Sequence, residues 1–378
     1  MAACRQSVRS LYSARTMSAP SVFDCFCGLG GLSLGAELAG YNVVGGVDAN
    51  PHAIATFRQT FPNKLALEHD LLAESPKAIL RSAGIRRGDI DVLMGGPPCQ
   101  PYSVNNHQRG TADHRCGLVE SYLEFVGALK PKWLVMENVP GFASIENGRF
   151  LGGLLSSLQD RGYEGAHVII NACSFGVPQR RRRLVVLASR KKSAAPNLIE
   201  SLRGVSTAQP ITVGEAIGDL PMNADGDVTY STRATGLYQR SMRKSHRRKV
   251  DFHSAHQLGT LNLQRIKHVP PGGNWRNIPY DLLPPGMQRA RPSDHTTRYG
   301  RLRSDRPAFT LLTKCDPHWG CFIHPSEDRV LTVREAARLQ SIPDRVTFSA
   351  PLIEAYRLVG NAVPPFLAKG ILELISNQ

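Results

Sequence analysis

The stretch VFDCFCGLGGLSLG, residues 22–35, decides the fold. VFDCF is a short apolar run of strand character. It ends in a turn that carries Gly28, Gly30 and Gly31, and LSLGAELAGY (32–41) then takes up a helical pattern. Glycine tolerates positive φ and lets a backbone approach a ligand closely. The pattern repeats outward. YNVVGGVD (41–48) is a strand ending at Asp48, and PHAIATFRQTF (51–61) is helical. KLALEHD (64–70) ends at Asp70, IDVLMGG (90–96) runs into a proline-rich turn, and KPKWLVMEN (130–138) ends at Glu137 and Asn138. Short apolar strands alternating with helices predict an α/β fold with a doubly wound, mostly parallel sheet. Each polar or glycine-rich feature lies at the carboxyl end of an apolar run. The Gly loop, Asp48, Asp70, Cys99 and Glu137 are therefore expected along one rim, where open α/β sheets bind ligands.

Asp48 follows Gly28 by twenty residues, the spacing of an acid that takes ribose hydroxyls in nucleotide-binding folds. The third glycine of a dinucleotide fingerprint is replaced by Ser33, so another adenosine cofactor fits better than NAD. In GGPPCQPYS (95–103), Pro97, Pro98 and Pro101 enclose Cys99. Proline fixes φ and removes backbone donors, so this turn holds one shape and aims the thiol as a nucleophile. The bland reading is a small buried cysteine. Glu137 ends an apolar strand. Burial there would raise its pKa and suit it to proton donation, the alternative being a structural ion pair. In PQRRRRLVVLA (178–188), strand alternation turns Arg181 and Arg183 to one face, where two guanidinium groups could converge on one acceptor.

The whole chain has 378 residues, with 42% hydrophobic and 20% charged, ordinary for a globular protein. The charge balance is not ordinary: 46 Lys and Arg against 31 Asp and Glu give +15. A polyanionic partner is expected, nucleic acid first. No apolar run reads as a membrane span. The eight cysteines are scattered and form no CxxC pair, so a reduced, intracellular protein is expected rather than a disulfide scaffold. In CDPHWGCFIH (315–324), Cys315, His318, Cys321 and His324 are too closely spaced to wrap one tetrahedral ion, and no metal is expected. Residues 1–20 form a tail, basic and rich in serine, that reads as a targeting segment or as a start set too early, before Met17. Residues 21–190 form the first domain. Residues 191–328, rich in Arg, His, Pro and Gly, form a second, smaller one, and 329–378 return to the first. RSMRKSHRRK (240–249) is the densest positive run. Its Arg240, Arg243, Lys244, Arg247, Arg248 and Lys249 are candidates for contacts with the phosphates of a nucleic acid, against the plain reading of a solvated loop.

The motifs DCFCGLGG, GGPPCQPYS, ENVPG, QRRRR, REAARLQ and GNAVPP occur in the order of the C5-cytosine DNA methyltransferases, which the chain resembles over nearly all of 21–190 and 329–378. The resemblance implies the fold of class I S-adenosylmethionine-dependent methyltransferases with a target-recognition domain at 191–328. It implies Cys99 as the nucleophile that adds to C6 of a flipped-out cytosine. It implies Glu137 at N3 and the exocyclic amine, and Arg183, assisted by Arg181, at O2. S-adenosylmethionine, leaving as S-adenosylhomocysteine, would take Phe26, Gly28, Gly30, Gly31, Asp48, Asp70, Pro98, Asn361 and Val363. Gln100 and Ser103 would face DNA. Duplex DNA is the implied partner of a monomeric enzyme without a membrane role, with a cognate restriction endonuclease as a further partner. The implied location is the bacterial cytoplasm, or the nucleus or an organelle in a eukaryote. An RNA cytosine methyltransferase is the alternative, but its Cys-Phe-Thr signature is missing from the recognition region. An inactive DNA-binding module is disfavoured because Cys99, Glu137, Arg181 and Arg183 are all present.

Overall fold

The computed structural model describes residues 19–98, 117–206, 209–222, 226, 228–230, 232–243, 249–291 and 293–378. The Gly-rich stretch folds as read. Strand β1 (Ser21–Cys25) leads through the loop into α1 (Gly31–Leu38). Then come β2 (Asn42–Asp48), α2 (Pro51–Thr60), β3 (Leu65–Glu68), α3 (Pro76–Ser82) and β4 (Val92–Gly95). α4 (Gly117–Leu129), β5 (Trp133–Asn138), α5 (Arg149–Asp160), β6 (Glu164–Asn171) and β7 (Arg182–Ser189) complete a seven-stranded sheet. Its order is β3-β2-β1-β4-β5-β7-β6. β1 pairs in parallel with β2 and β4, β2 with β3, and β4 with β5, whereas β7 runs antiparallel to β5. The order reverses between β1 and β4, and ligands bind beyond strand ends at such a switch point.

Local chemistry sets these elements. Asn50 caps α2 by accepting from the His52 and Ala53 amides, with Pro51 in the first turn. α4 buries Val119, Tyr122, Leu123, Val126 and Leu129, a helical stripe that packs with Phe23, Leu93, Leu134 and Met136 of the strands.

The chain divides into two compact units. The first comprises residues up to 170, 182–205 and 368–378, and so takes three separate lengths of chain. The last of these is tied in by Tyr41, whose hydroxyl donates to the Leu372 carbonyl (2.9 Å) and accepts from Ser376 (2.8 Å). The second unit comprises 171–181 and 206–367. α6 (Ala194–Arg203) belongs to the first unit, and the second holds α7 (Val213–Ile217), a two-stranded β8–β9 pair (Val228–Thr229, Lys249–Val250), α8 (Leu237–Met242) and α9 (Thr260–Lys267). After α10 (Pro285–Gln288) follow α11 (Val333–Leu339) and α12 (Leu352–Asn361), and the chain ends in α13 (Pro365–Ser376). Ile266, Trp275, Ile278, Met287, Tyr299 and Ile323 make a small core of its own. The 352–376 stretch is apolar enough, at mean hydropathy 1.3, to match a membrane span by composition. It breaks between α12 and α13, and its Leu358, Val359, Leu367, Ile371 and Leu372 are buried in the protein.

Candidate functional site

The loop after β1 is strained where it turns. Phe26 has φ 61°, and Gly28 and Gly30 have φ 53° and 97°. A non-glycine residue in the left-handed region costs energy and persists only where its surroundings impose it, often at ligand sites. A Cβ on Gly30 would lie 2.8 Å from the Phe61 ring, whereas one on Gly28 would meet nothing within 4 Å. Gly28 thus borders open space. Its amide donates to Asp48 Oδ2 (2.9 Å), and Asp48 Oδ1 accepts from the Asn50 amide (2.9 Å). The β2-end carboxylate therefore lies against the Gly loop, as its position in sequence suggested. Burial raises its pKa, opposed by those amides. Gly31 begins α1 and is buried. Asp70 lies just beyond β3 and is exposed, its Oδ1 accepting from the Leu72 amide (2.9 Å) to close a local turn.

Sequence reasoning passed over Asp24. It sits inside β1, fully buried, and its Oδ2 accepts from Ser33, the residue that breaks the glycine fingerprint (2.7 Å). Its Oδ1 has no hydrogen-bond partner among the described residues. Burial raises its pKa to about 7, with the Ser33 bond opposing and the Asp48 charge adding. A carboxylate in an otherwise apolar run was the available signal. An orphaned buried carboxylate oxygen at the switch point, beside open backbone at Gly28, fits a cofactor that carries both a cation and a ribose.

At the other side of the switch point, β4 ends at Gly95 and the chain turns through Gly96, Pro97 and Pro98. Glu137 is the penultimate residue of β5, paired in register with Val185 of β7. Its Oε1 lies 2.5 Å from Arg183 Nε, with side-chain exposures of 13% and 10%. A Cβ on Gly96 would come 3.4 Å from Glu137 Oε2, so the turn backs directly onto the carboxylate. Asn138 donates from Nδ2 to the Pro97 carbonyl (3.1 Å), which pins the turn from β5. Pro97 is buried and Pro98 exposed. Cys99, Gln100 and Ser103 lie outside the described residues.

The alternation in QRRRR is present, since Arg181 and Arg183 are buried and Arg182 is exposed. Convergence on one acceptor is not. Arg183 pairs with Glu137, whereas the Arg181 guanidinium donates to the carbonyls of Leu311 (2.9 Å) and Gly360 (2.7 Å) in the second unit. A guanidinium only 2% exposed needs acceptors for its N–H groups, and for the two terminal nitrogens the Leu311 and Gly360 carbonyls supply them. One of those carbonyls directly precedes Asn361, the exposed last residue of α12; Val363 is buried just beyond.

The positive run is divided. Arg243 turns inward, with an ion pair to Asp219 (2.6 Å) and its guanidinium 3.6 Å from the Tyr230 ring centroid. Its charge is committed within the unit, and this corrects its assignment to DNA phosphates. Arg240 is exposed and donates to the Thr235 carbonyl, and Lys249 is exposed on β9. Lys244, Arg247 and Arg248 lie outside the described residues. In CDPHWGCFIH the two sulfurs go to separate carbonyls, Cys315 to Leu331 and Cys321 to Thr297.

Residues 21–377 match the family described as C-5 cytosine-specific DNA methylase. The chain is 33% identical to the type II methyltransferase M.XorII of Xanthomonas oryzae pv. oryzae, over 94% of its length and 84% of that protein. It is 29% identical to M.AgeI of Thalassovita gelatinovora, over 93% and 98%. Among solved structures, a prophage-encoded DNA modification methyltransferase of E. coli superposes with TM-score 0.74 at 24% identity, covering 95% of this chain and 99% of that one. The Dnmt2 methyltransferase of S. pombe superposes with TM-score 0.60 at 16% identity, covering 95% and 99%. At those identities the likeness is one of fold.

Proposed function

Because the chain belongs to the C-5 cytosine-specific DNA methylase family and is a DNA cytosine methyltransferase, we propose that it methylates a flipped-out cytosine of a specific duplex sequence through a covalent Cys99 adduct. Cytosine C5 is a poor nucleophile. Addition of the Cys99 thiolate to C6 makes C5 electron-rich, and loss of the C5 proton after transfer lets the thiolate leave. Glu137 holds N3 and the exocyclic amine and supplies the proton that N3 needs as charge builds. Arg183 fixes that carboxylate and reaches O2. The observation that carries this reading is the Glu137–Arg183 pair at the β5 end, backed by the Gly96–Pro98 turn that leads directly to Cys99.

The residues present fit S-adenosylmethionine, which when bound supplies an electrophilic methyl group. Asp48 takes the ribose and Asp24 the cationic methionine end. Phe26, Gly28, Gly30 and Gly31 supply the backbone cradle, and Asp70, Pro98, Asn361 and Val363 are assigned to the same cofactor by family resemblance. Residues 191–328 are proposed to read the target sequence, with a restriction endonuclease of matching specificity as a partner, after the type II names of the relatives. A duplex with 5-fluorocytosine at the target tests the chemistry, because fluorine cannot leave as a proton. The wild-type protein should be trapped covalently and Cys99→Ala should not. An equal adduct with Cys99→Ala would place the nucleophile elsewhere.

A further inference from the structure

One surface of the second unit, within the segment proposed to read the target, carries none of the DNA-contact residues named above. Trp319 is 44% exposed, although Trp275 of the same unit is nearly buried at 5%. The Arg298 guanidinium lies 5.2 Å from the Trp319 ring centroid and Lys314 Nζ lies 5.4 Å from it. Both distances suit cation–π attraction. Among the described residues neither cation is drawn into an ion pair with a carboxylate, so both charges remain available.

The patch stands on a fixed base. The Trp319 ring packs edge-on against His318 (5.2 Å, 78°), and His318 packs edge-on against Tyr299 (5.9 Å, 83°). Tyr299 is buried in the small core and donates its hydroxyl hydrogen to Asn262 (3.0 Å). The two segments that carry the patch are laced together. The Gly300 amide donates to the Gly320 carbonyl (3.3 Å), Ile323 to Gly300 (3.1 Å) and Leu302 to Ile323 (3.0 Å). Burial and the neighbouring Arg298 charge hold the His318 pKa below its ordinary value. The positive charge near neutral pH therefore belongs to Arg298 and Lys314.

The geometry points to a contact with duplex DNA, in which Arg298 and Lys314 hold phosphates and Trp319 lies against a base edge between them. This rests on the DNA-methyltransferase reading and names residues for it outside the basic run of 240–249. Two cations beside an exposed indole suit a ligand that alternates anionic groups with flat apolar ones. The chain's net charge of +15 favours the same class of partner. Phosphate contacts position a protein and base contacts specify, so the two kinds of side chain should separate in experiment.

Binding of a methylatable and a random duplex is measured across salt concentrations. Arg298→Ala with Lys314→Ala should weaken both duplexes alike and lower the slope of log affinity against log salt by about 1.8, at roughly 0.9 per phosphate contact. Trp319→Ala should leave that slope unchanged and weaken the methylatable duplex about tenfold more than the random one, while Trp319→Phe keeps most of the difference. Arg298→Gln with Lys314→Gln repeats the slope measurement in a variant that keeps side-chain bulk. Wild-type slope and affinity in all variants would overturn the inference, as would loss of binding to anionic phospholipid vesicles with DNA binding intact. A wild-type protein that methylates no duplex would instead overturn the underlying reading.

Discussion

Asp24 and Glu137 are both carboxylates carried on strands of the sheet, and their surroundings set them to different tasks. Asp24 has one oxygen on Ser33 and one with no partner among the described residues. With its pKa held to about 7, it carries a proton across the acid range. The unfolded chain loses that proton near 3.8. Between these values the folded state binds more protons, so stability from this group falls as pH rises from about 4 to about 7. A cationic ligand needs the ionised form. Binding of S-adenosylhomocysteine, followed by calorimetry, should weaken as pH falls below about 7 and should release a proton there. Asp24→Asn should bind weakly with a flat profile; the same pH dependence in that variant would assign the titration to another group, with Asp48 next in line. Glu137 is instead paired. Arg183→Ala would leave its carboxylate largely buried without a counter-charge, at a cost of about 3 kcal/mol. Glu137→Gln leaves Arg183 in turn without its counter-charge, so it should lower stability by a comparable amount and lose methyl transfer as well. A double-mutant cycle in urea would show the coupling. At this scale the sequence located Asp48 and Glu137 because each closes an apolar run. Asp24 gave only the weaker signal of a carboxylate within such a run, and what sets it apart, an Oδ1 with no partner among the described residues, is visible only in the fold.

Among elements, the Gly loop and the start of β7 show what alternation can and cannot tell. Strand, loop and α1 were legible because apolar periodicity and glycine placement are local. Gly30→Ala would force a Cβ into φ 97° and against the Phe61 ring. A loss of about 2 kcal/mol in chemical denaturation is expected, along with weaker cofactor binding. An unchanged denaturation midpoint would mean that the loop relaxes freely. Arg181 illustrates the limit. Period-two alternation identified its buried face, but its acceptors at Leu311 and Gly360 are 130 and 179 residues away in the chain. Arg181→Ala would strand two carbonyls, costing about 1–3 kcal/mol each. It should lower affinity for S-adenosylhomocysteine more than affinity for DNA, since one carbonyl adjoins Asn361. Equal losses for both ligands would make it a general packing residue. Arg243 was misread for the same reason: Asp219 and Tyr230, which absorb its charge, leave no local trace.

For the whole molecule, the mostly parallel α/β sheet was legible in the alternation of apolar strands with helices, whereas the order of its strands was not. Nor was the antiparallel β7 inserted beside β5, because its partner is chosen by packing over some fifty residues. The three-part make-up of the first unit has a consequence for how the protein is born. A ribosome delivers its β1 first and its closing helix last, with the whole second unit synthesised in between. Until residues 368–378 emerge, Tyr41 lacks the Leu372 and Ser376 groups it bonds, and the surface that Ile371, Leu372 and Ile375 cover stays bare. The early strands must therefore wait, with apolar surface exposed, for most of the time of translation. A nascent chain arrested at residue 367 should be cut by protease within the 21–60 region and should engage chaperones. One arrested beyond residue 378, with a linker filling the exit tunnel, should resist. If both arrested chains resist equally, the N-terminal segments already hold their fold without the last helix, and the vulnerable interval does not exist.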